Sequence, residues 1–253
     1  LDHDAAVLAI KTSFSPHWYD ERSVVEEWPV SEPLERPTIE RFKAACSTFA
    51  DSTGLGLDCS NPRGWLLLPD NSLERAIDIA MAWERISVLP QSMATILWFT
   101  GKPDGGIRPL GLIISLLRVL GKIRLDMVRK WQRENDDPVF WGASTTTTCD
   151  KAGWEHNLLS QCALDKQFDC ATLLIDLKKF YEKISHARLL QEAQATDYPL
   201  ALLRSQCAIF SGPRVLQFRR AVSNPFAVDG TIIAGESAAT TLARVLLIRL
   251  FKG

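Results

Sequence analysis

Two short β-prone runs, Thr95–Thr100 and Ile107–Ile114, flank the loop Gly101-Lys-Pro-Asp-Gly-Gly106. Apolar runs joined by a Gly/Pro/Asp loop pair with each other, so a β-hairpin is predicted here. Ser115 to Gln132 follows, with apolar residues at Leu116, Leu120, Ile123, Met127 and Trp131, the spacing of an amphipathic helix. Arg118, Lys122, Arg129 and Lys130 fall on its other positions, so one face buries and the other is basic.

The rest of the chain does not alternate strand and helix regularly. Asn71–Val88 reads as a helix, with Asn71 as N-cap, Glu74 at capping-box spacing, and Pro90 as its stop. Lys151–Asp165, Ser185–Ala195 and Pro199–Phe210 read as helices, and Trp141–Cys149 as a polar loop. Cys170–Asp176 is an apolar run ending in a carboxylate, the pattern of a buried strand whose last residue emerges at a sheet edge. Arg214–Arg220 and Phe226–Ala234 resemble two short strands, and Gly235 precedes a helix from Ser237 to about Phe251. This order favours an α+β fold over a doubly wound sheet.

A chain of 253 residues, 46% hydrophobic, can bury one large core or two smaller ones. Its 23% charged content is ordinary for a folded domain. The longest apolar runs are too short to cross a bilayer, so no membrane is expected. The chain opens without Met and without a signal-peptide pattern, which reads as a fragment or cut product. The Cys at 46, 59, 149, 162, 170 and 207 form no CxxC pair, and buried free thiols in a reducing compartment are expected. Net charge is −1, but it is unevenly spread. Residues 1–60 carry 5 basic and 11 acidic side chains; residues 101–135 and 178–220 each carry 8 basic against 3 acidic. Pro-rich residues 1–69 read as part of an acidic extension.

Three segments carry candidate chemistry. In Leu173-Leu-Ile-Asp-Leu-Lys-Lys-Phe-Tyr-Glu-Lys-Ile184 an apolar run delivers Asp176 to solvent, with Tyr181 five residues on. On the residues alone, a strand ending in a solvated Asp reads equally well. In Lys102-Pro-Asp-Gly-Gly-Ile-Arg108 the turn would place two cations on adjacent strands, where Arg offers a fork and Lys a point charge to phosphate oxygens. In Gly235-Glu-Ser237 a glycine turn opens a helix.

Together these segments resemble the reverse transcriptases of retroelements, of the non-LTR retrotransposon and group II intron type, over Ser92–Gly253. The first is similar to polymerase motif A, with Phe180 in place of the usual small residue and Glu182 in place of the usual Asp. The second resembles the fingers hairpin. The third resembles motif B, with Ala234 where the family usually has Gln. The resemblance implies right-hand polymerase fingers over residues 91–170. It implies a truncated palm with a small antiparallel sheet over 171–253, after an N-terminal extension over 1–90. It implies that Asp176 and the Leu177 carbonyl hold Mg²⁺ or Mn²⁺, as phosphoryl transfer requires. Lys102 and Arg108 would bind triphosphate, Tyr181 would exclude a 2′-hydroxyl, and Gly235 and Ser237 would line the template side. The implied partners are an RNA template, a DNA primer and deoxynucleoside triphosphates. The family's motif C, an aromatic-x-Asp-Asp turn, is not found after motif B; the one Asp-Asp pair, Asp136-Asp137, precedes motif A. These residues alone are therefore expected to extend no primer. The rival readings are a nucleic-acid-binding remnant without catalysis and an unrelated α+β domain.

Overall fold

The computed structural model describes residues 3–101, 107–137, 148–172 and 176–252. It is an α+β fold in which helices surround one small sheet. The hairpin forms as expected. Strand β1 (Thr95–Gly101) pairs antiparallel with β2 (Ile107–Leu112), Thr100 facing Arg108 and Ile96 facing Leu112. The loop between them, Lys102 included, lies outside the described residues.

The sheet itself corrects the sequence reading. It is mixed rather than antiparallel: β3 (Arg214–Phe218) lies parallel to β1, Thr95 facing Arg214, and the order is β2-β1-β3-β4. Strand β4 (Ala221–Val222) returns against β3 through a tight turn at Arg219, whose φ of 55° is left-handed. Phe226–Ala234 therefore contributes a single bridge, Arg214 to Phe226, rather than a strand. The expected buried strand over Cys170–Asp176 is not formed by its described residues. Cys170–Thr172 and Asp176 are exposed and belong to no strand, and Leu173–Ile175 lie outside the description. Apolar continuity marks a segment that can be a strand, but the described residues of this run pair with none of the four strands. The Thr172 hydroxyl instead lies 3.4 Å from His156 Nε2 on α5 (Cys149–Asp165).

Two cores hold these elements. Helix α1 (His3–Phe14) lays Val7, Ile10 and Phe14 on one sheet face against Leu97, Phe99 and Leu216. Trp18 is fully buried beside them, stacked on Phe14 and Phe226. The larger core joins α2 (Ile39–Ser47), α3 (Asp70–Ile86), α4 (Ser115–Glu134), α6 (His186–Ala195), α7 (Leu200–Ser211) and α8 (Ala239–Lys252). Both cores thus draw on residues before 90.

Helix ends show which local signals decided. Helix α3 begins at Asp70 behind Pro69, so Asn71 lies inside the helix and caps nothing. It ends at left-handed Ser87, before Pro90 can act. Helix α4 matches its predicted start, where the Asp58 carboxylate accepts from the Ser115 amide at 2.8 Å. One basic position of α4 is not on the surface: Arg124 is buried and paired with Glu84 of α3 at 2.6 Å. The free thiols divide: Cys46 and Cys207 are buried, while Cys59, Cys162 and Cys170 are exposed, against the expectation of burial throughout. Burial pushes the Cys46 thiol up to about 12. No helix among the described residues is long and apolar enough to cross a membrane.

His186 opens α6 inside the core, and its Nε2 donates to the Thr231 carbonyl at 2.7 Å. Burial is the main reason its pKa falls from 6.5 to about 4; nearby Arg214 adds to the fall and the Thr231 contact opposes it. An unfolded chain takes up this proton below pH 6.5, whereas the folded one refuses it until about pH 4. The His186 contribution is therefore intact above pH 6.5. It is lost progressively as pH falls, reaching about 3 kcal/mol by pH 4. Urea unfolding from pH 7.5 down to 4.5 should show a steeper acid loss for the natural protein than for His186→Gln, which does not titrate; parallel curves would contradict this.

Candidate nucleic-acid interface

The segment 231–238 forms the centre of the site because two elements bind its backbone, one on each side. On one side, the Ile232 amide donates to the Tyr181 carbonyl at 2.9 Å and the Thr231 amide to the Ile184 carbonyl at 2.8 Å. These acceptors belong to the single-turn helix Phe180–Lys183 and its exit. On the other side, the Gly111 amide of β2 donates to the Ala234 carbonyl at 3.0 Å. Gly111 is needed here because a Cβ would overlap the Ile233 side chain. Gly235 then turns the chain with φ +100°, a conformation that side-chain-bearing residues rarely adopt, and delivers Glu236 and Ser237 to the start of α8.

A cleft of about 420 Å³ opens against this turn, at the small end of the range for ligand sites. Its walls include Gly111, Ile113, Arg118, Lys122, Gly235 and Ser237. Arg118 and Lys122 lie one helical turn apart on α4. Their charged ends rest over the Phe49 ring at 5.2 and 5.6 Å. Arg118 donates to the Gly54 carbonyl at 2.6 Å, and among the described residues neither cation is in a salt bridge. Burial lowers the Arg118 pKa, opposed by the charge of Asp58. Glu236 faces the same space, where its carboxylate accepts from Ser237 Oγ at 2.8 Å and from the Ala238 amide at 2.7 Å. Burial raises its pKa despite those bonds.

The sequence-predicted residues are only partly gathered. Gly235 and Ser237 line the cleft, whereas Tyr181 does not; it is half-buried, in contact with the Phe180 ring. Arg108 is exposed on β2, four positions nearer the hairpin tip than Leu112. Asp176 and Leu177 are exposed and outside the helices and strands. Among the described residues no hydrogen bond or ion pair joins Asp176 to Arg108, Gly235 or Ser237. None of them form a group of three or more His, Cys, Asp or Glu placed to hold a metal ion. Lys102 lies outside the description. Glu182, the residue after Tyr181, is buried and accepts from Trp18 Nε1 at 2.5 Å. Sequence reasoning placed Arg118 and Lys122 on a basic face but not in a cleft, and it missed Phe49, Glu236 and Gly111. Gly111 alone carried a signal, as a glycine inside a strand marks close approach of another backbone. A comparison with protein-family models gives no match, and a comparison with curated proteins gives none either.

Proposed function

We propose that this chain carries fingers and partial-palm elements of a reverse-transcriptase-like polymerase, whose role is to hold nucleic acid against the 231–238 turn. The observation that carries the reading is the backbone clasp. It joins the three segments that resemble polymerase motifs, hairpin strand β2, the Tyr181 turn and the Gly235 turn, although they lie far apart in sequence. The parent reaction would be addition of deoxynucleotides to a primer 3′-end on an RNA template. Asp176 and the Leu177 carbonyl would be ligands for Mg²⁺ or Mn²⁺. They supply one carboxylate and one carbonyl, less than a two-metal site needs, and the described residues do not complete it.

The test uses a longer chain that extends a primer. There Arg108→Ala should weaken deoxynucleotide binding by about 1.5–3 kcal/mol, the scale of a charged hydrogen bond. Tyr181→Ala should admit ribonucleotides. Unchanged nucleotide affinity and unchanged sugar discrimination would together remove the polymerase reading. A second reading, a nucleic-acid binder without catalysis, is favoured by Arg118 and Lys122, which are cationic in the cleft without any metal. Salt-sensitive RNA binding that persists in EDTA, with no extension by any longer form, would select it.

A further inference from the structure

We propose that the cleft between α4 and the Gly235 turn takes a phosphodiester of single-stranded nucleic acid on Arg118 and Lys122, and that Glu236 competes with that phosphate. This rests on the function proposed above, and names the two cations and the competing carboxylate that set its affinity.

The positive side comes from α4. Among the described residues Lys122 makes no hydrogen bond or ion pair, its ammonium resting over the Phe49 ring, and Arg118 spends one donor on the Gly54 carbonyl, so both keep donors for an incoming anion. Asp58, whose charge acts on Arg118, is engaged at the start of α4 by the Ser115 amide and hydroxyl. The negative side comes from the turn. Glu236 lines the cleft and folds back on the amide of Ala238 and on Ser237 Oγ, a hydroxyl that itself lines the cleft. The two sides are close. A Cβ on Gly121, the residue before Lys122, would lie 3.3 Å from Ser237 Oγ and 3.6 Å from Glu236 Oε1. Glu236 therefore lies beside the α4 turn that carries both cations, where an arriving phosphate would have to displace it or bear its repulsion. The cleft has room for about one nucleotide unit, and its Leu112 and Ile113 side offers an apolar wall to a base.

The test is fluorescence polarisation of a short fluorescein-labelled oligouridylate, in EDTA, across a KCl series. The expected result is opposite shifts from two variants. Lys122→Gln should weaken binding about 3- to 10-fold and lower the salt slope by roughly 0.7, the value for one contact to a single strand. Glu236→Gln, which keeps a hydrogen-bonding side chain but no charge, should tighten binding about 3-fold or more. Opposite signs cannot arise from general loss of fold. Competition distinguishes the source of the phosphate: unlabelled oligonucleotide should displace the probe, and inorganic pyrophosphate should do so only at far higher concentration. Displacement by pyrophosphate at equal concentration would overturn the assignment to a strand. Binding by the natural protein that neither variant changes, or weaker binding by Glu236→Gln, would overturn this inference while leaving the proposed function standing. No binding by the natural protein would overturn both.

Discussion

Trp18→Ala is expected to destabilise the protein by about 3–5 kcal/mol, the usual cost of truncating a fully buried aromatic. Trp18 is 0% exposed and stacks between Phe14 and Phe226, with ring centroids 5.7 and 5.1 Å away. Its carbonyl accepts from the Asp229 amide, and its indole N–H donates to Glu182. Truncation therefore opens a cavity and also leaves a buried carboxylate without that donor, and the two losses act together. Because Glu182 neighbours Tyr181, the loss should also loosen the turn that holds Thr231 and Ile232. Urea unfolding at pH 7 measures the first effect; Trp18→Phe, which keeps most of the packing, should lose less. A loss below about 1 kcal/mol for the alanine variant would show that residues before 90 do not support the Phe180–Lys183 turn.

The second large effect is expected at the buried pair Glu84–Arg124. Both side chains are nearly inaccessible, at 3% and 4% exposure, and Arg124 makes two hydrogen bonds to the carboxylate and one to the Glu35 carbonyl. Glu84→Ala should cost about 3–5 kcal/mol, because it strands a guanidinium charge inside the larger core. The double change Glu84→Ala with Arg124→Met should recover much of that, since an apolar replacement removes the charge as well as its partner. If the double variant were as unstable as the sum of its singles, the pair would not be acting as a unit.

The local parts of this fold were legible because local chemistry decides them. The Thr95–Ile114 hairpin and α4 follow from turn residues and apolar period, and the structure reproduces both. The pairing of β1 with β3 was not legible. It joins residues more than a hundred positions apart in parallel, and no local pattern in Arg214–Phe218 names its partner. The apolar run ending at Asp176 misled for the same reason: continuity of apolar residues marks a segment that can be a strand, while neighbours decide whether it is one. Asn71 failed as a cap because Pro69, with φ −68° and ψ 158°, already sets the entry to α3 one residue earlier. The burial of Arg124 was not legible either, because Arg is rarely buried and the partner that makes it tolerable, Glu84, lies forty residues away in sequence. In the site, Gly235 and Ser237 were visible as a turn before a helix. The cleft beside them was not, since Phe49, Arg118 and Glu236 come from three separate elements.

If the proposed function holds, nucleic acid sits where β2, α4 and the 231–238 turn meet. Photo-crosslinking of a single-stranded RNA containing 4-thiouridine, mapped by mass spectrometry, tests it most directly. Adducts are expected on the cleft-lining stretches 110–113, 118–122 and 235–237, lost when unlabelled RNA is in excess. Specific adducts confined to other surfaces of the molecule would contradict it.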